Sequence, residues 1–378
     1  MAQPKCLVML LKKLKLANFK NYADLETAFS NKINCFVGNN GVGKTNLLDA
    51  IYYLSFCKSY FNPSDSQNVK YGEPFFAIHG TYVLPSGDEE QLVSCVFKRG
   101  GGKQMKINKK AYIRFANHIG KIPLVMISPY DQDLINAGSD MRRKFIDGII
   151  SQTDRTYLEN LLSYQKAVDQ RNTLLKQFFE NRYFEEAQLQ LWDDQLVRFG
   201  QPVFESRKAF LKEFETIFQR YFRLISPSGE QVKIGYISQL ENGNFADLLK
   251  GAWQKDAYAQ YSTVGVHKDD LDFQIDEAMP IKKFGSQGQQ KTFVLALKLA
   301  QFEYITSVRG TKPILLLDDV FDKLDIQRVR QLIHLVGSDH FGQVFLTDTQ
   351  QGRVESIFDN TNIEHAVFTV ENNNLTQQ

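Results

Sequence analysis

Gly38-Asn39-Asn40-Gly41-Val42-Gly43-Lys44-Thr45 spells G-x-x-x-x-G-K-T, with an apolar run at Ile33 to Val37 before it and an apolar-periodic segment at Leu47 to Leu54 after it. The flanks predict strand, loop and helix in that order, the context in which this pattern cradles phosphate. Without Cβ atoms at three positions, successive backbone N–H groups can curl around phosphate oxygens. The helix start adds its partial positive charge. Lys44 is placed to reach the β- and γ-phosphates and the Thr45 hydroxyl to ligate Mg²⁺. The plainer reading is a glycine-rich turn with a surface lysine, which does not explain the strand and helix around it. The expected ligand is a nucleoside triphosphate, ATP, with Mg²⁺.

Such a loop needs an acidic partner at the end of a buried strand, and Ile314-Leu315-Leu316-Leu317-Asp318-Asp319 fits. Strand alternation places the two carboxylates on opposite faces. That makes Asp318 the expected Mg²⁺ partner and Asp319 the candidate to polarise an attacking water. Small-molecule kinases and small GTPases rarely separate the two elements by about 270 residues, as here. Upstream, Ser286-Gln287-Gly288-Gln289 opens a helix and offers a hydroxyl and free N–H groups to an anion. By itself that is only an N-capped helix. In the order loop, serine–glycine helix, Asp-Asp strand, it matches ATP-binding-cassette heads, where this element completes the site of a second subunit. Asp322-Lys323-Leu324-Asp325 fits the turn across that interface, and Thr347 falls where a γ-phosphate sensor belongs.

The fold class expected is α/β: an ABC-type P-loop ATPase head with an inserted, mostly helical lobe. The head's N-terminal part spans 1–128, with the loop and β-hairpins. The helical insert spans 129–228, and the head's C-terminal part 229–378. Hairpin strands are expected at Phe75 to Leu84 and Leu92 to Lys98 around Pro85-Ser86-Gly87-Asp88, then a return strand after Gly100-Gly101-Gly102. In the insert, Phe210, Phe214, Ile217, Phe218 and Tyr221 form one apolar helical stripe. Gly200-Gln201-Pro202 is expected to break or kink it, and the polar tail Glu371 to Gln378 to fray. A net charge of +2 over 378 residues means any anionic polymer must be held by a local patch. Four scattered cysteines give neither a zinc cage nor a disulfide framework. With no membrane-length apolar run, a cytoplasmic location is expected.

Several stretches resemble the RecF family, bacterial recombination-mediator ATPases related to SMC heads. Asn18-Phe19-Lys20-Asn21-Tyr22 is similar to its NFRNY start, and Arg142-Arg143-Lys144-Phe145-Ile146-Asp147 to RRRFLD. Gln170 to Lys176 resembles RNALLK, Gly265 to Leu271 resembles GPHRDDL, and Ser286 to Ala300 resembles SQGQQRTLVLALKLA. Departures include Val266 for a proline and Lys268 and Lys291 for arginines, which exchange a planar fork for a point charge. The resemblance implies ATP-dependent dimerisation, DNA binding, recombinase loading at gaps with RecR and RecO, SOS induction, and weak, DNA-stimulated ATP hydrolysis, with Lys20 in the ATP site and a phosphate loop that runs from Gly38 to Asn46. Slowness has a reading in the residues: Asp319 is one methylene shorter than a glutamate, and Thr347 has no titratable group. Alternatives are an SMC-like structural DNA ATPase, whose long heptad arm the insert is too short to supply, a transporter ATPase subunit, and a non-hydrolysing ATP-dependent DNA clamp. For DNA, Lys103, Lys106, Lys109 and Lys110 crowd one hairpin, although edge strands also carry lysine merely to avoid pairing. His267-Lys268-Asp269-Asp270 reads as a structural turn rather than a metal site.

Overall fold

The computed structural model describes residues 7–83, 89–226, 229–276, 278–320, 326–350, 352 and 363–377. The turn expected at 85–88 and that expected at 322–325 lie outside them. The chain forms two compact units, 1–131 with 301–378, and 132–300. This division differs from the one read from the motifs in that residues 229–300 group with the helices.

Among the described residues the first unit holds two six-stranded sheets and a short parallel pair, Leu7–Val8 with Thr311–Lys312. One has the order Asn374–Gln377, His365–Glu371, Ile33–Val37, Val344–Asp348, Ile314–Leu317, Leu124–Ile127. All its neighbours are parallel except the first pair. Parallel strands covered on both faces need unbroken apolar runs. The segments INCFV, ILLL and LVMI are accordingly buried at every position, and their one polar residue, Asn34, is satisfied by the Ser30 backbone. The other sheet is antiparallel, in the order Tyr22–Ala28, Leu10–Phe19, Phe75–Val83, Glu90–Lys98, Gly102–Ile107, Lys110–Ala111. The hairpins expected around residues 75–107 are therefore present. Helix Lys44–Phe56 packs on both sheets, and Leu47, Leu48, Ile51 and Leu54 are wholly buried in their shared core. Burying each such side chain contributes roughly 1.5–3 kcal/mol.

The tail does not fray as expected. Asn374–Gln377 folds back antiparallel on His365–Glu371 through a two-residue turn in which Asn372 and Asn373 have φ of 49° and 63°. Asparagine tolerates that left-handed geometry, which matches the twist of the strands it joins.

The second unit is built on helices Ser139–Thr153, Arg155–Asn181 and Glu186–Ile225, with a three-stranded sheet of Val232–Ile237, Asp270–Ile275 and Met279–Pro280. The predicted stripe is largely borne out: Phe210, Phe214, Phe218 and Tyr221 are buried, while Ile217 is half-buried at its edge. Of the break or kink expected at Gly200-Gln201-Pro202, the break is absent. The 40-residue helix continues through Pro202, because packing on both sides outweighs one lost backbone hydrogen bond. Gly200 serves that packing instead: a Cβ there would lie 2.7 Å from the Tyr164 ring and 2.8 Å from that of Phe245. Between the long helices the fully buried Arg171 donates to Asp193 (2.5 Å) and Asp256 (2.6 Å). Arg207 likewise binds Asp147 (2.9 Å) and Asp269 (2.8 Å). Each buried guanidinium is tolerable because two carboxylates and further hydrogen bonds compensate it.

Candidate functional site

The phosphate loop leaves the carboxyl end of Ile33–Val37, where ligands gather in open α/β sheets. Gly38 has φ of 155°, and a Cβ on it would meet the Val370 carbonyl oxygen at 2.5 Å, so only glycine fits. Lys44 is 3% exposed, and its ammonium donates to the carbonyls of Gly38 (2.8 Å) and Asn39 (2.9 Å). Helix Lys44–Phe56 begins after Gly43 with no side-chain cap. Its first N–H groups are thus not satisfied by a capping side chain, the arrangement that suits a helix start to an anion.

Beneath the loop, Thr45 Oγ1 donates to Asp318 Oδ1 at 2.9 Å. Thr347 Oγ1 lies 3.1 Å from the same oxygen and 3.2 Å from Asp319 Oδ1, and it accepts the Asp319 N–H at 2.8 Å. The strand order explains this convergence. Val344–Asp348 lies between the loop strand and Ile314–Leu317, so Thr347 sits beside the residue that follows Leu317. The expectation that the two carboxylates would face opposite ways is corrected here. Asp319 adopts φ of 44°, which ends the strand's alternation and returns its carboxylate to Thr347. Burial raises the Asp318 carboxyl to about 6, partly offset by the Thr45 hydrogen bond and reinforced by the Asp319 charge.

Two hard oxygens 2.9 Å apart, Thr45 Oγ1 and Asp318 Oδ1, match adjacent corners of an octahedron with bonds of about 2.1 Å. The donor set therefore fits Mg²⁺. Among the described residues no group of three His, Cys, Asp or Glu forms a separate metal cage.

The Lys20 ammonium is 2.6 Å from buried Asp49, which also accepts from Ser59 and the Tyr60 N–H. Lys103 turns inward, 2.8 Å from Asp65 and donating to the Cys57 carbonyl, with its ammonium over the Tyr53 and Phe115 rings. That removes Lys103 from the outward lysine set. Lys109 and Lys110 are exposed and Lys106 half-buried. Ser286 and Gln289 make a reciprocal capping box: Ser286 Oγ accepts the Gln289 N–H (3.2 Å), and Gln289 Oε1 accepts the Ser286 N–H (2.7 Å). Ser286 and Gln287 are exposed, and Gly288 lies in the first turn beside them.

Sequence reasoning passed over Asn21 as a site residue. Its amide donates to the Val42 carbonyl (3.2 Å) and to Asn373 Oδ1, while its oxygen accepts from Asn46 (2.7 Å). The signal available was its position in a hairpin turn, Phe19 to Tyr22. Nothing in that turn announces which loop it will meet.

The His267 stretch in the second unit is a turn. Burial lowers the His267 imidazole to about 4. Nε2 faces the Ser262 carbonyl (3.0 Å), so it carries the proton, and Nδ1 accepts from the Tyr164 hydroxyl (2.7 Å). Asp269 is spent on Arg207 and Asp270 on Arg142. With Arg143 bound to the Asp269 carbonyl and to Asp140, the Arg142-Arg143 pair is a salt-bridged helix face. A cavity of about 590 Å³ opens beside these residues.

Residues 10–374 match the family described as RecF/RecN/SMC N terminal domain. The DNA replication and repair protein RecF of Flavobacterium johnsoniae is 50% identical over 362 residues, covering 96% of this chain and all of that protein. RecF of Bacteroides thetaiotaomicron is 47% identical over 363 residues, with 96% and 97% covered. The solved structure of the recombination mediator protein RecF with ATP, in the RecFOR pathway, superposes with a TM-score of 0.89 at 27% identity, covering all of both chains. An Smc head domain from Pyrococcus furiosus, bound to part of ScpA, matches at 0.58 and 17% identity over 98% and 96%. That likeness concerns the fold alone.

Proposed function

The chain belongs to the RecF branch of the RecF/RecN/SMC family, DNA replication and repair proteins with an ABC-type ATPase head, and on that premise we propose that it is an ATP-operated switch on DNA. ATP occupies the Gly38 to Asn46 loop, with Lys44 on the β- and γ-phosphates. Thr45 and Asp318 hold Mg²⁺, which supplies charge neutralisation between the phosphates. Thr347 reads the γ-phosphate, and Asp319 orients the attacking water. One observation carries the reading: Thr45, Asp318, Asp319 and Thr347 join in one hydrogen-bonded set below an uncapped loop helix. Asp319 is short, and its partner is a neutral threonine hydroxyl rather than a base, which favours slow turnover.

The switch closes when two copies share ATP. Ser286, Gln287, Gly288 and Gln289 of one copy meet the phosphates held by the other. Ser286 Oγ accepts from Gln289, which leaves its hydroxyl proton to donate to a phosphate oxygen. The closed dimer holds DNA in the cytoplasm, and with RecR and RecO it promotes recombinase loading at gaps and the SOS response. Hydrolysis reopens it.

Sedimentation with ATP and gapped duplex tests this. Wild type should dimerise with ATP, Lys44→Ala should lose nucleotide binding, and Ser286→Arg should bind ATP as a monomer. A Ser286→Arg variant that dimerised normally would overturn the shared-site reading. Wild type that bound no ATP would overturn the whole proposal.

A further inference from the structure

The C-terminal hairpin is built against the phosphate loop. His365–Glu371 runs parallel to the loop strand, from His365 beside Ile33 to Thr369 beside Val37. Where the loop strand ends, the hairpin continues: the Val370 carbonyl occupies the space a Cβ on Gly38 would take. The turn at Asn372-Asn373 then delivers Asn373 Oδ1 to the Asn21 amide. That amide's other hydrogen goes to the Val42 carbonyl (3.2 Å), and its oxygen accepts from Asn46 Nδ2 (2.7 Å). Next to it, Tyr22 donates its hydroxyl to the Gly43 carbonyl (3.1 Å), and Lys70 holds the Asn21 carbonyl (3.1 Å).

From this geometry we infer that Asn373 and Asn21 are positioning residues for the phosphate loop, so that the C-terminal hairpin sets how well the site takes a triphosphate. Both hydrogen-bonding atoms of the Asn21 side chain are engaged: Nδ2 donates to the loop and to the hairpin turn, and Oδ1 accepts from the first turn of the loop helix. Losing Asn373 frees one amide hydrogen and lets the group that holds Val42 and Asn46 rotate. The loop carbonyl at Val42 and the first-turn residue Asn46 then lose their common anchor. Neither asparagine touches phosphate in this scheme. The inference rests on the ATP reading above and names what tunes that same site.

The test is a double-mutant cycle on the full-length chain, read by ATP affinity in Mg²⁺ and by KM against kcat. A lost anchoring hydrogen bond predicts about fivefold weaker ATP binding for Asn373→Ala. It also predicts a matching rise in KM, an unchanged kcat, and an unchanged nucleotide-free melting temperature. Asn373→Asp keeps the acceptor in a left-handed turn position and should restore affinity. In an Asn21→Ala background, Asn373→Ala should add nothing further. Wild-type affinity in Asn373→Ala, failure of Asn373→Asp to rescue, or additive losses in the double variant would each overturn the inference. Should Asn21→Ala misfold, the Asn373 pair alone decides. Wild type without ATP affinity would instead defeat the earlier proposal.

Discussion

His267 shows how much a single half-buried side chain settles here. Its imidazole is neutral because burial outweighs the proton-favouring Ser262 carbonyl, with Lys268 and Arg143 nearby also opposing a positive charge. The folded value of about 4 lies below the ordinary 6.5, so unfolding takes up a proton between those limits. Its stabilising contribution is therefore whole above pH 6.5 and is lost as pH falls toward 4, up to ~3 kcal/mol. We expect urea midpoints at pH 7.5 and 4.5 to differ more for wild type than for His267→Gln; parallel losses would show that other groups carry the acid sensitivity. At the same scale Lys103 and Lys109 separate two lysines that look alike in sequence. One is bound to Asp65 beneath aromatic rings, and the other is exposed at φ of 69°.

Among the elements, helix starts are finished in different ways. Arg155–Asn181 is capped by the Asp154 side chain on the Tyr157 N–H, and Gln287–Arg309 by the Ser286–Gln289 box. Lys44–Phe56 has no side-chain cap, and neither do Ser139–Thr153 and Glu186–Ile225. The 40-residue helix Glu186–Ile225 carries a different local cost. Pro202 is exposed and gives no N–H to the carbonyl of Arg198 four residues back. Replacing it with alanine should restore that bond and stabilise the protein by roughly 1–3 kcal/mol, read from urea denaturation. A destabilised Pro202→Ala would show instead that the ring's rigidity matters to the unfolded chain.

On the proposed DNA-binding reading, a net charge of +2 supplies no overall pull on a polyanion, and the hairpin lysines are the local patch to test. With Lys103 turned inward, the outward set is Lys106, Lys109 and Lys110. Reversing all three to glutamate should weaken duplex binding more than tenfold at moderate salt and reduce the salt slope by about 2–3, while leaving ATP affinity intact. Lys103→Glu should behave differently, setting a carboxylate against Asp65 and lowering stability rather than DNA affinity alone. An unchanged salt slope in the triple variant would move the DNA surface elsewhere.

The phosphate loop, the Asp318-Asp319 strand end and the serine–glycine helix were legible residue by residue, because each depends on local chemistry: glycine's missing side chain, a fully apolar parallel strand, a hydroxyl at a helix start. The stripe from Phe210 to Tyr221 was legible because periodicity is local too. What the chain did not declare depends on which segments meet. Thr347 could gather both carboxylates only once its strand was inserted between the loop strand and Ile314–Leu317. Asn21 acquired its role only when a turn more than 300 residues away reached it. Pro202 stayed within a helix because tertiary packing outweighed a local rule, and the polar tail became a strand because a sheet edge offered it hydrogen bonds. Sequence by itself determined the chemistry available at each point. Tertiary structure alone decided which of those chemistries share a site, since long-range pairing is a property of the folded chain as a whole and not of any window along it.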